Sequence, residues 1–347
     1  MSHLLGFDIW GGWGTTLAIK AIIVLAIVPL TALILGYVFL LKMMSHMQSR
    51  LGPMDPGGFH GWYQLIGDGI KFMQKEDIMP AEADRRVFAL APAVVVLSTF
   101  LVFVVIPAGP RLVVQPLDVG VFYALAVSSL SVIGVLMAGW GSANKYSLMG
   151  GLRAGGQLIA YELPMVLAVV GVVIQAGTLS LNGIVLAQAD GSIFGFSGLG
   201  NPFILTQFIG FFIFLAAVQA ELTQPPFDMP VAESELVGGY QVEYSGFRFL
   251  TFFLAEFATA FAFAGIAATL FLGGWWFPGV DPSSNAYWVL GPVVLFTKIM
   301  IVSFIIFWVR FTYPRFREDQ LQAFAWKWLI PLALVNILLT AVLKVAF

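Results

Sequence analysis

The stretch Ala220–Gly246, AELTQPPFDMPVAESELVGGYQVEYSG, carries five carboxylates and no lysine or arginine. The carboxylates are Glu221, Asp228, Glu233, Glu235 and Glu243. Only 10% of the chain is charged, so this acidic stretch stands out. Desolvation and repulsion between like charges both raise the pKa values of carboxylates, so such a cluster can hold protons and pass them on through water. We favour a proton path here over the alternative, a solvated acidic loop.

Three more ionisable side chains interrupt apolar runs: Glu162 in AYELP, Glu256 in FFLAEFATAF and Lys298 in LFTKIMI. Charges within a membrane are costly and usually serve a function or meet a buried partner. The alternative is that their side chains extend to the membrane surface, which is easiest for Glu162 and hardest for Lys298. We expect Glu162 and Glu256 to lie near the same membrane face as the acidic stretch.

The composition predicts an integral membrane protein that forms a single membrane domain over residues 1–347. The chain is 59% hydrophobic, whereas soluble domains are about half apolar and about a quarter charged. It has no cysteine and three histidines, none of them in an apolar run. Thiolate metal sites, iron–sulfur ligation and an intramembrane bis-histidine haem are therefore excluded. No nucleotide-binding motif is present, and we expect no nucleic-acid partner and no metal.

Eight apolar segments reach the length of about 20 residues that a spanning helix needs. Barrel strands would be half as long and would alternate in polarity, so we predict an all-α bundle of about eight transmembrane helices. The predicted spans are Leu17–Leu41, Val87–Ile106, Val119–Trp140, Leu158–Leu179, Phe203–Ala220, Phe249–Leu272, Tyr287–Val309 and Trp328–Ala346.

Loop charges predict the orientation of the bundle. Of the 17 lysines and arginines, most fall in the loops on one side of the predicted spans, and only Lys20, Arg111 and Lys344 fall on the other. Positive loops stay in the cytoplasm, so both termini are expected on the external side of a bacterial plasma membrane. The acidic stretch then forms a cytoplasmic loop over residues 221–246.

A second cytoplasmic loop, residues 43–86, contains an amphipathic pattern. Its apolar residues recur at helical spacing from Trp62 to Met73, with Asp68 and Lys71 on the opposite face. This pattern predicts a helix at the membrane interface. A helix packed on the end of the bundle itself would show the same pattern.

The acidic stretch closely resembles a cytoplasmic loop in one membrane-subunit family of NADH-quinone oxidoreductase, or respiratory complex I. Bacteria name this family the H subunit, and mitochondria number it 1. Four other stretches resemble the same family in the same order, so the likeness covers essentially the whole chain. They are MQSRLGP at 47–53, KEDIMPAEADRRVFALAP at 75–92, LRAGGQLIAYELP at 152–164 and YPRFREDQLQAFAWKWLIPLAL at 313–334.

The resemblance implies a non-autonomous subunit of a proton-pumping NADH:quinone oxidoreductase, at the heel of an L-shaped complex. Quinone is then the substrate, no cofactor is bound covalently, and FMN and iron–sulfur clusters belong to partner subunits. The implied neighbours are lipid, other membrane-arm subunits and the iron–sulfur and quinone-site subunits of the peripheral arm. Carboxylates would link quinone reduction to proton translocation; they are Glu162, Glu221, Asp228, Glu233, Glu235, Glu243 and Glu256. Arg50, Asp68 and Arg248 are predicted to line the quinone cavity or its mouth.

The chain departs from the family pattern at a few positions. Leu40 and Leu41 stand where the family has Glu-Arg, Asp55 replaces a basic residue, and Val231 replaces a further glutamate. These departures are compatible with a divergent paralogue. They leave open an equivalent subunit of a ferredoxin- or hydrogenase-linked complex and, with less support, a stand-alone proton-coupled transporter.

Overall fold

The structure, a computed structural model, describes residues 13–191 and 200–346. Its regular elements there are all helical. The main helices are α1 (Trp13–Leu35), α2 (Gln64–Gln74), α3 (Arg85–Val102), α4 (Gly120–Ser128), α5 (Leu130–Gly141), α6 (Lys145–Ala176), α7 (Leu181–Asp190), α8 (Phe208–Glu221), α9 (Gly246–Phe271), α10 (Tyr287–Thr312), α11 (Glu318–Phe324) and α12 (Ile330–Ala346). Helix α1 continues without interruption through a π-helical segment, Gly36–Met43, and π-helical Ala325–Leu329 joins α11 to α12.

Seven helical runs in the described part of the chain are long and apolar enough to cross a membrane. They are Gly14–Met47, Arg85–Val105, Gly120–Gly141, Lys145–Ala176, Gly246–Phe271, Tyr287–Thr312 and Glu318–Val345. This confirms the prediction of an all-α membrane protein. The runs coincide with seven of the eight predicted spans, although several begin earlier than predicted.

The fifth predicted span, Phe203–Ala220, differs from the others. It is divided at Gln207 into a single turn, Phe203–Thr206, and helix α8. The 14 residues of α8 extend about 21 Å at 1.5 Å per residue, less than the roughly 30 Å apolar thickness of a bilayer. At the break, the Gln207 amide donates to Thr340 Oγ1 at 2.7 Å and accepts from Asn336 Nδ2 at 2.8 Å. This polar contact with α12 stabilises the interruption.

Helix α6 begins at Lys145, well before the predicted start at Leu158. Its N-cap is Asn144, whose Oδ1 accepts the backbone N–H of Tyr146 at 2.8 Å. Small residues let helices approach closely: the Cα of Gly139 lies 3.1 Å from where a Cβ on Gly151 would stand. A glycine-rich segment that resembled a loop is therefore helical, and Glu162 lies in the middle of α6.

Loops of the chain meet at one end of the bundle, called here the acidic-loop end. Backbone N–H groups of Asp84, Ile78 and Phe316 donate to Gly141 O, Ser245 Oγ and Pro226 O respectively. At the opposite end, the Trp275 indole donates to Asn182 Oδ1. The acidic stretch thus packs among the other loops of its own end.

Helix α9 lies in the middle of the bundle and packs against α1, α3 and α10. Its inner half is lined with small and aromatic residues, and Phe257, Phe263 and Phe271 are fully or almost fully buried. Glu256 is carried on this central helix, within three turns of its start at the acidic-loop end. Any charge change at Glu256 therefore occurs beside the main apolar core.

The predicted amphipathic helix is present as α2. The Phe72 ring lies 5.5 Å from the Phe249 ring of α9, and Leu65 packs on Gly36. No α2 residue is fully buried, and Ile70 and Met73 remain exposed. Helix α2 therefore packs on the end of the bundle and leaves a second apolar side uncovered by this chain.

Candidate functional site

Glu256 of α9 is paired with Arg310 of α10. Arg310 NH1 donates to Glu256 Oε1 at 2.9 Å, and Gln224 Nε2 donates to the same oxygen at 3.1 Å. The guanidinium of Arg310 also lies within 6 Å of three phenylalanine ring centres, including Phe257 and Phe307. Ring faces favour a cation, so Arg310 is held in place for the carboxylate. The intramembrane charge of Glu256 thus has a fixed counter-charge.

An inner cavity lies between α3, α9 and the start of the acidic stretch. Its volume is about 60 Å³, which is room for about two waters at the roughly 30 Å³ that each occupies in the liquid. Glu221, Glu256 and Thr223 line the cavity, and hydroxyls of Thr99 and Thr259, 2.8 Å apart, lie on its wall. Polar groups of this kind hold water inside a protein.

An outer cavity of about 650 Å³ adjoins the acidic stretch. Its charged lining is formed by Asp228, Glu233, Glu256, Arg310 and Arg315. Glu256, like Thr223, lines both cavities. The wall between the inner and the outer cavity therefore contains an ionisable group.

Burial raises the pKa of Asp228 to about 6. The charge of Glu256 raises it further, whereas a hydrogen bond from the Ala232 backbone and the cations Arg315 and Arg310 lower it. A carboxyl with this pKa exchanges protons near neutral pH, as proton-transfer groups must. Asp228 is thus suited to supply protons at the outer cavity.

Two further carboxylates face one another on the other side of Glu256. Glu221 ends α8, and the charge of Glu162 in α6 acts on it. Both are half-buried. The structure brings together Glu162, Glu221, Asp228 and Glu256, with Glu233 on the rim of the outer cavity.

Glu235 lies apart from this group, on the surface. Arg153 NH1 and Arg315 NH2 each approach it at 2.6 Å, and Arg153 also lies 3.6 Å from Glu318. The hydrogen bond from Arg153 lowers the pKa of Glu235. This exposed ion-pair network fastens the acidic stretch to α6 and to the segment before α11.

Glu243 also lies away from the two cavities. Its Oε1 accepts from Asn144 Nδ2 at 2.5 Å, and the residue lines an open groove together with Glu82. Because Asn144 caps α6, Glu243 connects the end of the acidic stretch to the start of that helix.

The three residues predicted at the quinone cavity are dispersed over the acidic-loop end. Arg50 is exposed and donates to Gln48 Oε1. Asp68 pairs with Lys71 on α2 at 2.7 Å. Arg248 NH1 lies 3.2 Å from Asp77 Oδ2, without the angle of a hydrogen bond, and its guanidinium stacks over Phe88 at 5.5 Å. Their contribution to a quinone cavity stays a prediction.

Sequence reasoning missed the groups that hold the carboxylates. Arg310 and Arg315 entered it only as loop charges, and Gln157 and Gln224 not at all. Gln157, 1% exposed, donates through Nε2 to Ala220 O and Phe227 O at 2.7 Å each. A buried amide beside a proline-containing loop is the signal that could have found these glutamines, since such a loop leaves carbonyls without backbone donors.

Within residues 13–191 and 200–346, no group of three or more histidine, cysteine, aspartate or glutamate side chains could hold a metal ion. The chemistry of the site therefore has to be argued from carboxylates, arginines, amides and the space for water between them.

Comparison with known proteins assigns the fold to a family. The family model described as NADH dehydrogenase matches residues 19–341. The chain belongs to this family. Curated relatives named as the H subunit of NADH-quinone oxidoreductase include those of Brevibacillus brevis, 46% identical over 95% of this chain and 94% of the relative, and of Geobacillus kaustophilus, 45% identical over 88% and 87%. The relative in Anoxybacillus flavithermus is 45% identical over the same shares. The resemblance of the acidic stretch is thereby confirmed.

Proposed function

We propose that this chain is the membrane subunit of a proton-translocating NADH:quinone oxidoreductase. Membership of the NADH dehydrogenase family and the names of its relatives support this proposal. Electrons would come from FMN and iron–sulfur clusters in partner subunits of the peripheral arm, and quinone would be the substrate. Other membrane-arm subunits would cover part of the apolar surface. We place the bundle in a bacterial plasma membrane with the acidic-loop end in the cytoplasm and both termini outside.

One observation carries the coupling role: Glu256 lines both the inner and the outer cavity. A proton taken up by Asp228 in the outer cavity can reach Glu256 through water, and from there Glu221 through the inner cavity. Arg310 stabilises the ionised form of Glu256 between transfers. Quinone reduction that moves charge near the acidic stretch would then change the occupancy of this path.

The members of the path differ in how freely they can exchange protons. Glu221, Asp228 and Glu256 face space that can hold water, and Glu162 acts on Glu221 electrostatically. Glu233 offers an entrance at the rim. Glu235 and Glu243 are held by arginine or asparagine partners, and we place them at the periphery, where they fix the position of the acidic stretch.

The test compares Glu256→Gln and Asp228→Asn with the matched control Glu235→Gln in the intact complex. Proton pumping and quinone reduction are measured in membrane vesicles, and subunit content is checked on native gels. We expect the first two variants to assemble and to lose about tenfold or more in coupled rate, which corresponds to about 1.4 kcal/mol of barrier. Glu235→Gln should keep its rate. Normal pumping in assembled Glu256→Gln would refute the coupling role.

A further inference from the structure

Gln224 is the neutral partner of Glu256 and differs from other buried glutamines in what its amide meets. It is 1% exposed, and its backbone is fixed in a turn, with Phe227 N donating to Gln224 O at 2.9 Å. Nε2 donates to Glu256 Oε1 at 3.1 Å. The other end of the amide, Oε1, is buried and has no hydrogen-bond partner.

The contacts of Glu256 Oε1 suit only the ionised carboxylate. Arg310 and Gln224 both donate to this oxygen, and an arginine has no acceptor to offer. A proton on Oε1 would point at two donors. The neutral acid therefore needs a nearby acceptor, and a buried O–H left without one costs free energy.

The Gln224 amide can supply that acceptor by turning over. Rotation about its terminal bond exchanges Oε1 and Nε2, and such a torsion is roughly two-fold. Because Oε1 has no partner to lose, the only hydrogen bond broken is the one to Glu256, which re-forms with the roles reversed. We propose that Gln224 is a positioning residue that donates to ionised Glu256, turns to accept from protonated Glu256, and so transmits its protonation state to the acidic stretch.

This inference rests on the proposed function, since it requires Glu256 to exchange protons. The charged and titratable groups around Glu256 are consistent with it. Arg310 faces Glu256 from α10, Glu221 shares the inner cavity, and Asp228 and Tyr240 feel its charge from the acidic stretch. All are anions, cations or a phenol, so Gln224 is the amide among them that can donate or accept without a change in charge.

Gln157 provides a matched control within the same structure. It is also 1% exposed and also has an Oε1 without a partner. Its Nε2, however, donates to two backbone carbonyls, which never release a proton or take one up. The orientation of the Gln157 amide should therefore be the same at every pH.

The experiment is pH-difference infrared spectroscopy of the intact complex with carbon-13 in the glutamine side-chain carbonyls. The Glu256 acid band is the one lost in Glu256→Gln, and the two amide bands are those lost in Gln224→Met and in Gln157→Met. We expect the Gln224 band to shift with the same midpoint as the Glu256 band, and the Gln157 band to stay constant. In Glu256→Gln, where Gln224 is intact, the Gln224 band should become independent of pH.

A constant Gln224 band while Glu256 titrates would overturn the inference, as would a Gln224 shift that persists in Glu256→Gln. The proposed function would survive either result if Glu256→Gln still abolished pumping. Normal pumping in Glu256→Gln would instead refute the coupling role, whatever the amide bands show.

Discussion

Glu256 and Lys298 are ionisable residues on neighbouring helices, α9 and α10, but their surroundings differ. Glu256 lies towards the acidic-loop end, with a counter-charge, an amide that can turn and two cavities. Lys298 extends to the opposite end, where Nζ donates to Gly274 O at 2.8 Å and Trp276 O at 2.7 Å. It lines neither the inner nor the outer cavity. The comparison indicates that one buried charge moves protons and the other holds the backbone after α9.

Arg310→Met should have the largest effect, because it removes the counter-charge on the Glu256 side of the comparison. A buried carboxylate without a charged partner is too costly to remain ionised, so Glu256 would stop exchanging protons. We expect coupled quinone reduction to fall by about tenfold or more. Vesicle assays of pumping, with assembly checked on native gels, measure this.

Arg310→Lys is the informative companion, since it keeps the charge and loses the planar fork. It should recover part of the rate. An assembled Arg310→Met complex that pumps normally would show that the pair is structural, like the contacts of Lys298.

Lys298→Met tests the other side of the comparison. The two carbonyls after α9 would lose their donor, and hydrogen bonds to charged groups contribute about 1.5–3 kcal/mol each, partly offset by removing a buried ammonium. We expect a lower temperature of thermal dissociation of the complex and an unchanged coupled rate per assembled complex. Lys20→Met, which loses one contact to Gln115, is the control. A lost pumping rate at normal thermal stability would place Lys298 in the proton path.

The sequence identified both charges from their cost alone, because a charge in an apolar run is visible without a structure. It did not distinguish their roles, because each partner is distant along the chain. Arg310 is 54 residues from Glu256, and the carbonyls that bind Lys298 belong to the segment after α9. The eight apolar segments were readable for the same reason, whereas the helical start of α6 was hidden by glycines that serve close packing. The two cavities arise from the packing of several helices and have no local pattern.

Asp228 sharpens the comparison through pH. Because burial raises its pKa to about 6 from the ordinary 3.8, the folded state binds a proton that the unfolded chain would release. Its contribution to stability is complete below the ordinary pKa and is lost as pH rises through about 6. We expect an infrared acid band with a midpoint near that pH, absent in Asp228→Asn. A midpoint near 3.8 would remove Asp228 from the proton path.

The smallest effects are expected in the exposed network around Glu235. Exposed ion pairs contribute about 0–1 kcal/mol, and Glu235 is shared by Arg153 and Arg315, so either arginine can hold it alone. Arg153→Met should therefore change the coupled rate by no more than about twofold. The measurement is the same vesicle assay, repeated at high salt, which screens surface charges. If Arg153→Met were as damaging as Arg310→Met, the acidic stretch would have to act as one connected chain of charges, and Glu235 would rejoin the path from which its arginine partners now separate it.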